Sequence, residues 1–134
     1  MTQHNIHGEW TMRFENRILY SVVWGATNNE ATLTWIAEMK HLVLSSQEGD
    51  HTPWVIINDA RNWEMSSLGV GESYLEFFDW IERHNCASYA AVLSKQIQKF
   101  SMEHETNTLD ALHCFFDYDE AYQFCVEKLA EATT

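Results

Sequence analysis

Pro53-Trp54-Val55-Ile56-Ile57-Asn58 is the stretch on which the fold turns. It is short, continuously apolar and rich in β-branched residues. A polar run containing Gly49 precedes it, and Asp59-Ala60-Arg61-Asn62 follows. A run of this length, bounded by turn signals, predicts a strand buried on both faces, as in a parallel sheet covered by helices. Asp59 to Asn62 then reads as a loop leaving the strand's carboxyl end.

The segments upstream fit that picture. Trp10, Met12 and Phe14 alternate with Glu9, Thr11, Arg13 and Glu15, the period of a strand with one wet face. Glu15-Asn16-Arg17 is a short polar turn, and Asn tolerates the left-handed backbone of a tight hairpin. Residues 18–24 form the second strand, with Gly25 ending it. Thr27-Asn28-Asn29-Glu30 matches a capping box with Thr27 as the cap. The helix it opens carries Leu33, Ile36, Ala37, Val43 and Leu44 on one stripe, which Lys40 interrupts and must snorkel past.

Downstream, Ser66-Ser67 precedes a helix with a stripe of Leu68, Tyr74, Leu75, Phe78 and Ile81. Asp79 and Arg83 can pair on its outer face. Asn85 suits a left-handed helix terminator. Residues 87–93 read as another buried strand, and Ser94 as the cap of a short helix through Ile97, Phe100 and Met102. A fifth strand is built on Ala111, Leu112, Cys114, Phe115 and Phe116. Asp117 caps a last helix, with Glu120 three residues on and a face of Ala121, Phe124, Cys125 and Leu129. The order β-β-α-β-α-β-α-β-α predicts an α/β fold: a mixed sheet of four to five strands, flanked by helices.

The chain has 134 residues, enough for one core, and neither its one proline nor its five glycines form a linker. Residues 1–134 therefore read as one domain, with 1–7 as a flexible tail. Eight basic residues against twenty acidic ones give a net charge of −12. Such a surface repels phosphate backbones and anionic lipid headgroups, which argues against nucleic acid and electrostatic membrane docking. No apolar stretch approaches the ~20 residues of a membrane span, so no integral membrane association is expected. Met1 to His7 lacks a basic flank and an apolar run, so no signal peptide is expected and the cytoplasm is the default location. Cys86, Cys114 and Cys125 are odd in number and contain no C-x-x-C pair, as in reduced, buried thiols.

Motifs of chemistry are sparse. Gly69-Val70-Gly71 lacks the third glycine of a dinucleotide loop and the lysine of a P-loop. His4-x-x-His7 falls in the tail, His104-Glu105 lacks a second histidine, and His41, His51, His84 and His113 stand alone. Neither a metal nor a cofactor is expected. No G-x-S-x-G elbow occurs, and the acidic pairs Asp117/Asp119 and Glu103/Glu105 suit helix starts and polar loops. The chain is accordingly read as no enzyme, with no catalytic residue. The candidate binding loop is Asp59, Arg61, Asn62 and Trp63, with Glu64 beside it, because ligands of open α/β sheets favour the carboxyl ends of parallel strands. Ser66 and Ser67 follow at a helix start, where free N–H groups cap to a hydroxyl or favour a phosphate. Aromatics make up 13%, more than so small a core needs, leaving some for a pocket or a self-association face.

The opening hairpin, the alternation after it, and Phe115-Phe116-Asp117-Tyr118-Asp119-Glu120-Ala121 before an amphipathic helix together resemble the STAS-domain fold. The nearest likeness is to the SpoIIAA-like set of bacterial proteins, sometimes grouped with the lipid-carrying Sec14 domains. In anti-sigma-factor antagonists of that family an Asp-Ser-Ser-Gly-Leu-Gly turn opens a helix, and a kinase phosphorylates a serine there. This chain reads Glu64-Met65-Ser66-Ser67-Leu68-Gly69-Val70-Gly71, with Met65 in place of the aspartate and Leu68 where glycine would follow. The resemblance implies Ser66 and Ser67 as candidate phospho-acceptors. It also implies a non-enzymatic regulatory module acting on a protein partner or as a homodimer. The alternative it implies is a carrier or sensor of a small apolar molecule or lipid.

Overall fold

A computed structural model of the chain describes residues 8–47, 49–66, 71–105 and 112–133. The predicted tail 1–7, Ser67, Leu68 and Ala111 lie outside them.

The elements run β1 (Glu9–Glu15), β2 (Ile18–Thr27), α1 (Asn29–Ser45), β3 (Trp54–Ser66), α2 (Gly71–Arg83), β4 (Cys86–Val92), α3 (Gln96–Glu105), β5 (Leu112–Phe115) and α4 (Tyr118–Ala132). The sheet has five strands in the order β1-β2-β3-β4-β5. β1 pairs antiparallel with β2, and every later pairing is parallel. The hairpin closes with Asn16 at φ 53° and Arg17 at φ 63°, the two left-handed positions a two-residue turn requires.

β3 is the central strand, and its side chains alternate between two cores. Trp54, Ile56 and Ala60 join Leu19, Val23, Tyr89 and Ala91 beneath α1 and α2. Val55 and Ile57 join Ile18, Ala90 and Val92 beneath α4, against Ala121 and Cys125. Burial on both faces explains the unbroken apolar run. Buried indoles find acceptors: Trp54 Nε1 donates to His84 O at 2.6 Å, and Trp35 Nε1 to Ser21 Oγ at 2.9 Å.

Three local expectations are corrected. The cap of α1 is Asn28, whose side chain accepts from Ala31 N at 2.9 Å. Thr27 ends β2 instead, and its hydroxyl accepts from Trp63 Nε1 at 3.2 Å. The buried stripe of α1 is Ala31, Thr32, Trp35, Ile36, Met39 and Val43, whereas Leu33, Ala37 and Leu44 face outward. On α2 the buried positions are Phe77, Phe78 and Ile81, and Leu75 is exposed. Lys40 does snorkel: it is half-buried, and its ammonium lies 5.2 Å from the centre of the Trp80 ring. Asn85 ends the α2 turn at φ 71°, and Asp117 caps α4 by accepting from Asp119 N at 3.0 Å.

Candidate functional site

The sequence reading ends β3 at Asn58 and opens a loop at Asp59; the structure continues the strand to Ser66. Asp59, Arg61, Asn62 and Trp63 are therefore strand residues, not loop residues. Two irregularities make the extension hard to recognise. β2 advances from Val22 to Trp24 while β3 advances from Asp59 to Asn62, and Gly25 to Thr27 matches Trp63 to Ser66. Each step inserts one extra residue in β3, which is the definition of a bulge. The first bulge leaves Arg61 and Asn62 both outside and turns Trp63 into the core. The second contains Met65 at φ 78°.

β4 pairs with β3 only as far as Asp59, so among the described residues no strand lies beside that edge of the far half of β3. Gln98, at the start of α3, covers that edge. Its Nε2 donates to Trp63 O at 2.7 Å, Arg61 O at 3.2 Å and Ala60 O at 3.3 Å. Its Oε1 accepts from Ser94 N at 2.7 Å and Lys95 N at 2.9 Å, satisfying free amides before the helix. Ser94 Oγ donates to Arg61 O at 2.6 Å. One amide thus ties α3 to the strand edge. Nothing in the sequence marks Gln98, since a glutamine in a first helical turn reads as solvated.

Beside this clamp a groove of about 390 Å³ opens between the end of β3 and α3. Arg61, Asn62, Glu64 and Met65 line one wall, Lys95 and Ile97 the other. Next to it, Ile97 is 53% exposed and Phe100 65% exposed, three residues apart on α3. The groove thus gathers Arg61, Asn62 and Trp63 from the predicted set. Asp59 is held elsewhere. Its carboxylate accepts from Arg61 Nε at 2.8 Å and Arg61 Nη2 at 2.7 Å, and the guanidinium lies 5.6 Å from the Tyr118 ring centre. Burial alone would raise the Asp59 pKa, but hydrogen bonds from the Arg61 side chain and backbone outweigh it and hold the carboxyl below its ordinary value. Ser66 closes β3 next to Met65 of the groove.

A second feature lies inside the sheet's α1/α2 face. A cavity of about 50 Å³ is walled by Trp10, Trp35, Trp63, Phe77, Tyr89 and Asn58, among others. The rings meet edge to face, Trp35 with Phe77 at 5.3 Å and Phe77 with Tyr89 at 5.8 Å. Asn58 Nδ2 donates to Tyr89 Oη at 2.9 Å, and Asn58 Oδ1 is buried with no partner among the described residues. Burial pushes the Tyr89 hydroxyl far above its ordinary pKa, so it stays neutral.

The cysteines are free. Burial pushes the thiols of Cys114 and Cys125 up to about 11 and that of Cys86 higher still, which suppresses their thiolates. Among the described residues no group of three His, Cys, Asp or Glu could hold a metal ion, and no helix is long and apolar enough to cross a membrane.

No family model and no curated protein matches the chain. Among solved structures, it is similar to the crystal structure of an uncharacterized protein from the DUF3478 family with a SpoIIAA-like fold, from Shewanella loihica PV-4. The two share 14% identity over 93% of this chain and 98% of that one, with a TM-score of 0.58. That likeness is one of architecture: the five-stranded sheet and four helices form a SpoIIAA-like fold, as the sequence resemblance implies.

Proposed function

We propose that the chain is a non-enzymatic interaction module whose groove between β3 and α3 receives a protein partner. The observation that carries this reading is the half of β3 that outruns β4, with a groove of about 390 Å³ and two exposed apolar side chains, Ile97 and Phe100, beside it. An apolar surface rimmed by polar groups is the usual form of a protein contact.

Charge supports the same place. The chain carries −12, yet among the described lining residues Lys95 stands against Glu64 and Arg61 is already paired with Asp59, so charge is close to balanced at the groove. A partner with an acidic contact surface meets less repulsion here than over a uniformly acidic surface. A second copy of this strongly acidic chain qualifies. Ser66, at the end of β3, and Ser67, outside the described residues, are the candidate phospho-acceptors, and a phosphate of about −1.5 to −2 charge would add repulsion toward an acidic partner. Suppressed thiolates and an Asp59 closed on Arg61 support a role without covalent chemistry. Lipid carriage is the weaker reading. Ligand pockets for drug-sized molecules measure roughly 300–1,000 Å³, and the cavity inside the sheet is about 50 Å³.

The test is photocrosslinking with benzoylphenylalanine placed at Phe100 and, as control, at the exposed Glu127 of α4. The expected result is a discrete protein adduct, with another protein or a second copy, from position 100 only and weakening as salt is raised. Equal adducts from both positions, or none from position 100, would overturn the proposal.

A further inference from the structure

We infer that the cavity between the sheet and helices α1 and α2 is a binding site for a small uncharged molecule with an apolar body and one N–H or O–H donor, received by Asn58. This site is separate from the groove. Asn58 points to the α1/α2 side of β3, whereas the groove follows the strand's outer edge.

Asn58 is only 6% exposed and lies on the cavity wall. Its amide has two donors and an oxygen with two lone pairs, yet its one partner is the Tyr89 hydroxyl. With the nitrogen donating to Tyr89 Oη, it is the oxygen, an acceptor, that meets no group of the described residues. Buried polar groups are rarely left this way, and when they are, a ligand or water is the ordinary reason. An apolar residue here would pack against the same rings at no such cost, so the amide is a feature that packing does not explain.

The walls define the chemistry. Trp10, Trp35, Trp63, Tyr74 and Phe77 offer ring faces and edges, and among the described residues no carboxylate, ammonium or guanidinium lines the cavity. A charged molecule would be stripped of water with nothing to pair it. A neutral one would bury its body against the rings and give its hydrogen to Asn58 Oδ1. Size sets the upper limit. One water needs about 10–15 Å³ by this measure, so about 50 Å³ admits a molecule of a few heavy atoms. Trp10, Tyr74 and Leu112, the half-buried wall residues, are where the cavity meets the surface.

Pyrrole and furan test this, being five-membered rings of nearly equal size that differ in one N–H donor. The full chain, labelled with nitrogen-15, is titrated with each while the side-chain signals of Asn58, Trp35 and Trp63 are followed. Pyrrole is expected to shift these signals and to bind about tenfold tighter than furan, the worth of one hydrogen bond to a buried acceptor. Asn58→Leu is expected to abolish that preference. Equal binding of the two rings by the natural chain, or no shift by either up to its solubility limit, overturns the inference; the second result would mean the cavity takes water only. The natural chain's pyrrole-to-furan ratio decides the matter even if Asn58→Leu fails to fold. Crosslinking from position 100 is unaffected in either case, so the two proposals fail separately.

Discussion

Gln98 shows how much one side chain can hold. It is 2% exposed, its oxygen accepts two backbone amides ahead of α3, and its nitrogen serves three carbonyls on β3. Gln98→Ala removes all of these hydrogen bonds at once and takes the buried carbonyls of Ala60 and Trp63 away from this donor. We expect a loss of about 2–4 kcal/mol in urea unfolding at unchanged m-value. A loss under about 0.5 kcal/mol, the range of ordinary surface substitutions, would show that α3 is not tied to the strand in this way. Residues read correctly from sequence are those whose role is settled by near neighbours. Asn16 and Asn85 take the left-handed backbone, and Asp117 caps the helix that follows it. Gln98 escaped because its partners Ala60, Arg61 and Trp63 lie 35 to 38 residues away.

The same contrast separates the elements. β1, β4 and α4 follow from alternation, β-branched content and capping, and they stand where those signals put them, whereas β2 runs through Gly25, its expected end, to Thr27. α1 departs by one residue at its start. Thr27 has the sequence of a cap, but Trp63 Nε1, 36 positions away, donates to its hydroxyl, and Asn28 takes over the capping. Asn28→Ala should therefore cost about 1 kcal/mol of stability. A neutral Asn28→Ala in thermal or urea unfolding would return the cap to Thr27. β3 departs most. Asp59-Ala60-Arg61-Asn62 has the composition of a turn, and only pairing with β2, two bulges and the Gln98 clamp keep it extended. None of those three causes is local, so the groove beside Arg61, Asn62 and Trp63 could be located by the rule for parallel-strand ends but not given its shape.

At the scale of the whole molecule, one strand serves both proposed sites. The half of β3 flanked by both β2 and β4 puts Asn58 on the cavity wall, and the half that outruns β4 forms one wall of the groove. The chain as a whole carries −12, whereas at the groove Lys95 faces Glu64 and Arg61 is paired with Asp59, so the local charge is close to balanced. All of this requires β3 to remain a strand as far as Ser66. Amide hydrogen exchange of the full chain reads that directly. The account predicts that the amides β3 gives to β2 beyond Asn62 are protected like those at Val55 to Asn58, and that Gln98→Ala selectively speeds their exchange. Exchange beyond Asp59 as fast as in the turn around Asp50 would mean the strand ends there, and the account would be wrong.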